Sequence, residues 1–62
     1  MFSIYDIAAH ALGVAYPNAP QEWLDRAARE TVSFSTRHKN PTPEQRDAFN
    51  ARIERMCTTG EW

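Results

Sequence analysis

The sequence has one cysteine, two glycines, no surplus of either charge and no long apolar run. Each shortage excludes a class of protein. Cys57 alone cannot form an intrachain disulfide, and a single unpaired thiol suits a reducing cytoplasm. His10, His38 and Cys57 have none of the paired spacings that zinc sites use, so no metal ligand is expected. Seven basic against eight acidic side chains argue against a general binder of nucleic acid or membrane surface, which carries a strong positive excess. No apolar run approaches the roughly 20 residues that cross a bilayer. The stretch before Asp6 lacks the positive start of a signal peptide, so the expected location is cytoplasmic. There is no Gly-rich loop and no carboxylate pair on an apolar face. The expectation is a protein without catalytic residues or cofactor, not an enzyme.

What is present is helical. With 62 residues the chain has room for one domain, spanning 1–62, and it reads as a complete small protein. A chain this short buries only about 60% of its unfolded surface, so regular helix packing or self-association must supply the rest. The longest pattern runs from Gln21 to His38. Trp23, Ala27, Thr31 and Phe34 form one stripe, widened by Leu24, Ala28, Val32 and Ser35. Glu22, Asp25, Arg26, Arg29 and Arg37 take the opposite side. Opposite charges at Glu22–Arg26, Asp25–Arg29 and Arg26–Glu30 have i,i+4 spacing.

Before this spine, Ser3 and Asp6 form a short capping box. Ile4, Ile7, Ala8, Ala11, Leu12 and Ala15 then share one broad face, with Tyr5 and Val14 at its margins. That arc exceeds the ~100° one core-facing stripe needs, so this helix should be covered from two directions. Gly13 costs about 1 kcal/mol relative to Ala inside a helix, which places the helix end near Leu12. Pro17 and Pro20 break the pattern, and Asn18 or Ala19 would cap the spine with Pro20 in its first turn. Lys39-Asn40-Pro41 is the second break. Thr42, Pro43 and Gln45 make the clearest helix start in the chain. Phe49, Ile53 and Met56 form a narrow seam, with Cys57 beside it as a small buried hydrophobe. Gly60 should stop this helix and leave Glu61 and Trp62 as a tail.

These readings predict a small all-α, three-helix domain with helices near 3–15, 20–38 and 43–58. The long central helix would carry the first on its Trp23/Leu24/Ala27 side and the third on its Phe34 end. A small core and an over-apolar first helix point to a homodimer rather than a monomer.

Ser3-Ile4-Tyr5-Asp6-Ile7-Ala8 resembles the opening of a lac-repressor-type DNA-binding headpiece. Leu12-Gly13-Val14 resembles the turn of that motif, and Thr31-Val32-Ser33 the start of its recognition helix. The resemblance covers about a dozen residues and implies a small helix-turn-helix transcription factor. Two departures count against it. One extra residue separates Ile7-Ala8 from Leu12-Gly13-Val14, and the second helix opens on Gln21, Glu22 and Asp25, poor partners for phosphate. From Thr31 to Pro43 there is no acidic residue, so Arg37 and Lys39 are the candidate nucleic-acid contacts under this reading.

The aromatics favour another function. Tyr5, Tyr16 and Trp62 fall at a helix margin, in a turn and in the tail, and Tyr and Trp commonly anchor interfaces. With Arg26, Arg29, Arg52 and Arg55 as rim charges, they outline a partner-binding surface. The expected function is a small regulator or inhibitor of the kind phages and mobile elements make, such as an antirepressor. It would mask a partner protein's DNA-binding or assembly surface.

Overall fold

The computed structural model describes residues 2–62 as three α-helices: α1 (Ile4–Ala15), α2 (Gln21–Arg37) and α3 (Pro43–Thr59). Among the described residues there is no strand. The all-α, three-helix architecture is therefore the one the sequence implies. The helix starts follow from side-chain chemistry. Asp6 N–H donates to Ser3 Oγ at 3.2 Å and Ser3 N–H donates to Asp6 Oδ2 at 3.0 Å, a reciprocal box opening α1. Thr42 and Gln45 make the same exchange at 3.1 and 2.9 Å, with Pro43 in the first turn of α3. Gly60 ends α3 at φ 79°, the left-handed conformation that glycine adopts without penalty.

Helix α1 keeps the expected 3–15 span: Gly13 does not end it near Leu12, and it closes after Ala15 with Tyr16 N–H on Leu12 O at 2.8 Å. Two other local expectations are corrected. Neither Asn18 nor Ala19 caps α2. Pro20 holds that position with no side-chain cap, and its carbonyl accepts from Trp23 and Leu24 N–H at 3.0 and 3.2 Å. Of the three i,i+4 ion pairs only Arg26–Glu30 forms, at 3.5 Å, while Asp25 accepts instead from Gln21 Nε2 at 2.9 Å.

Helix α2 is the element on which both others pack. Helix α3 runs antiparallel along it. Phe34 and Phe49 stack with centroids 4.2 Å apart at one end, and at the other Gly60 lies so close to the Trp23 ring that a Cβ there would stand 2.6 Å from it. Leu24, Ala27, Ile53, Met56 and Cys57 form the buried core between the two helices. Helix α3 therefore covers the length of α2 rather than its Phe34 end alone, and Trp23 belongs to the α3 side. Helix α1 is also antiparallel to α2, bringing Gly13 against Leu24 and Tyr5 beside Ala28. The body is flattened, 30 × 29 × 16 Å.

Helix α1 is rotated about its axis from the expected facing: Ala8 and Leu12 are seated as expected, but Ala9 and Gly13 join them in place of Ile4, Ile7, Ala11 and Ala15. Its half-buried residues are Ala8, Ala9, Leu12 and Gly13, whereas Ile4, Ile7, Ala11, Val14 and Ala15 are exposed. At 100° per residue the exposed set fills one arc roughly opposite the seated one. Core contacts explain the choice: Leu12 and Tyr16 reach the core cluster, and Gly13 lies beside Leu24. The broad apolar arc is covered from one direction only, and no residue of α1 is fully buried.

Candidate functional site

The expected partner-binding residues are spread over the three helices and the C-terminal turn. Tyr5 is 48% exposed and shares a shallow recess with Glu22, Asp25, Ala28 and Arg29. Tyr16 is half-buried against the core, and burial is the main cause that pushes its hydroxyl above its ordinary value, with Glu54 and Cys57 adding to it. Trp62 folds back rather than trailing as a tail. Its ring meets Phe49 edge-on at 5.9 Å, and the Arg52 guanidinium lies 5.9 Å from its centroid. Arg55 pairs with Glu61 at 2.7 Å across the Gly60 turn, and Arg26 pairs with Glu30. The structure thus joins Tyr5 to Arg29 and Trp62 to Arg52, and it does not gather all seven into one surface.

A further apolar surface, outside the expected partner-binding residues, is the outward face of α1, where Ile4 is 62% exposed, Ile7 63% and Val14 72%, with Phe2 just before the helix 81% exposed. Monomeric proteins seldom leave four large apolar side chains together in water, and a contiguous patch of this kind marks an interaction site. The sequence carries the signal in the width of the apolar arc, which implies a second covering partner beyond α2; the structure shows that the open side is that of Ile4, Ile7 and Val14. Beside this face runs a groove between α1 and the start of α2. Ile7, Val14 and Leu24 give it apolar walls, and Asp6, Gln21 and Asp25 a polar edge.

Metal-binding chemistry has little to work with, since no group of three His, Cys, Asp or Glu side chains converges among the described residues. Cys57 is buried, and that burial raises its thiol pKa, the opposite of what a nucleophile requires. None of the three helices is long and apolar enough to cross a membrane.

The nucleic-acid candidates lie at the far end of the molecule. Arg37 Nε donates to Ser33 O within its own helix at 3.4 Å, and Lys39 is exposed in the following turn. The residues resembling a headpiece occupy different positions here. Leu12-Gly13-Val14 lies inside α1 and Thr31-Val32-Ser33 in the middle of α2, so neither forms a turn or a helix start. No known protein family, curated protein or solved structure matches this chain.

Proposed function

We propose that the protein is a small regulator or inhibitor that works by binding another protein and covering that partner's DNA-binding or assembly surface. The observation that supports this is the exposed apolar face of α1. A helix that displays Ile4, Ile7 and Val14, with Phe2 exposed just before it, while Ala8, Ala9, Leu12 and Gly13 face inward, offers an apolar surface to a partner. The action is steric and takes place in the cytoplasm, without catalysis or cofactor. Tyr5 and Arg29 extend the surface along the α2 recess, and the remaining arginines set long-range encounter rather than the central contact.

Affinity capture from a bacterial lysate treated with nuclease tests this reading. The wild-type chain is compared with a variant carrying Ile4→Ser, Ile7→Ser and Val14→Ser, all exposed positions. One protein retained by the wild type and lost by the variant is the expected result. Equal retention by the two chains overturns the reading. Capture that disappears with nuclease, and with Arg37→Ala and Lys39→Ala, favours a DNA-binding transcription factor instead.

A further inference from the structure

We propose that the α1 face receives a basic amphipathic helix, its apolar side on Ile7 and Val14 and its Lys or Arg residues on Asp6 and Asp25. This rests on the partner-binding reading above and names the chemistry of the partner. The charge distribution carries the argument. Residues 2–25 contain Asp6, Glu22 and Asp25 and no Lys or Arg. The cations all lie from Arg26 onward, and Arg26 itself pairs with Glu30. A net charge near zero therefore hides an acidic N-terminal stretch beside the exposed apolar face, with Arg29 on the second recess and no Lys or Arg lining the first.

The acids sit where a partner can reach them. Asp6 and Asp25 line both recesses beside α1, and Glu22 borders the second. Asp6 uses Oδ2 for its cap and Asp25 uses Oδ1 for Gln21, so each keeps its second oxygen for an incoming donor. Among the described residues neither forms an ion pair. Helix α1 has 12 residues and rises about 18 Å, a length matched by some three turns of a partner helix laid along the groove. A basic helix of that size is what many DNA-binding proteins present to the major groove, so the chemistry agrees with a masked DNA-binding surface.

A second copy fits less well. Two antiparallel α1 helices related by a two-fold axis place the same flank of each side by side. The Asp6 and Asp25 carboxylates of both copies would then crowd one flank with no Lys or Arg among its lining residues.

The test uses the full chain and two synthetic helical peptides with one apolar pattern, a Leu/Lys peptide and a Leu/Glu peptide, followed by fluorescence anisotropy at ~0.1 M salt. The Leu/Lys peptide is expected to bind at least about tenfold more tightly than the Leu/Glu peptide and to weaken as salt rises. Asp25→Lys should weaken it about tenfold, and so should Ile7→Ser with Val14→Ser, while melting temperatures stay close to wild type. Equal binding of the two peptides, no binding, or binding indifferent to these substitutions overturns the proposal. So does sedimentation showing a dimer that Val14→Ser dissociates, since a second copy then covers the face. Capture of a protein through α1 without Leu/Lys preference leaves partner binding intact and removes only the charge assignment. Capture that survives the α1 substitutions removes the function itself.

Discussion

Ala27 and Ala28 are adjacent in the chain and both buried, yet they face different neighbours. Ala27 belongs to the core shared with Ile53, Met56 and Cys57, whereas Ala28 meets α1 beside Tyr5. On the α3 side large side chains interlock and the ends are closed by Phe34 on Phe49 and Gly60 on Trp23. On the α1 side the inward set is Ala8, Ala9, Leu12 and Gly13, and the large residues of the opposite arc turn away. The first arrangement removes apolar area from water and holds the fold. The second seats Leu12 on the core and covers Ala28, yet leaves Ile4, Ile7 and Val14 of α1 in water. A 62-residue chain with a stability of roughly 3–9 kcal/mol has little margin for such an uncovered face.

The strongest way to break this comparison is to truncate the same residue type on the two sides. Ile53→Ala removes a buried side chain from the core and should cost about 2–5 kcal/mol, a large share of the total. Ile7→Ala removes one that is 63% exposed and should change stability by less than ~0.5 kcal/mol. Urea denaturation of the two variants measures both. Similar losses would mean that α1 is part of the core and not a display.

Gly60→Ala comes next. At φ 79° an alanine is strained by about 1–2 kcal/mol, and its Cβ would press into the Trp23 ring. The expected loss is about 2–3 kcal/mol, with Trp23 fluorescence altered as the ring moves. A neutral Gly60→Ala would show that the C-terminal turn does not bear on the core.

The helix pattern was legible in the sequence because its signals are local. Ser3 with Asp6, Thr42 with Gln45, the prolines and Gly60 each act within one turn, and each places a boundary within a residue or two. The facing of α1 was not legible. Periodicity assigns the broadest apolar arc inward, but here the reach of Leu12 and Tyr16 to the core cluster decides the orientation. Trp62 illustrates the same limit. Beyond Gly60 there is no periodicity to read, and its place depends on Phe49 and Arg52, 13 and 10 residues earlier. The exposed apolar face was therefore visible as an excess of hydrophobicity and hidden as a location.

Alkaline pH probes the seam where α1 reaches the core. Tyr16 and Cys57 both have their pKa values raised, Tyr16 by burial and then Glu54, Cys57 by burial. Their contribution is full below the unfolded values, near 10.0 and 9.0, because both states are then protonated. As pH rises past those values the unfolded chain ionises first, and the contribution is lost through the higher folded values. Melting temperature should fall as pH rises past about 9, and Tyr16→Phe with Cys57→Ala should flatten that fall relative to its own neutral-pH value. An unchanged slope would mean that neither group is sheltered.

Gly13→Ala should give the smallest effect and the opposite sign. Gly13 has helical backbone, and a Cβ there would meet Leu24 Cδ1 at 3.6 Å, an ordinary contact. Alanine should stabilise by about 0.5–1 kcal/mol, since it narrows the unfolded ensemble without crowding the α1–α2 contact. The two glycines then separate by mechanism: Gly60 is required by its conformation and its neighbour, Gly13 by neither. A stabilised Gly13→Ala that captures partner as well as wild type identifies α1 as a rigid, preformed surface. A stabilised variant that captures less would show that α1 must flex at Gly13 to seat its partner, a cost that preorganisation otherwise removes.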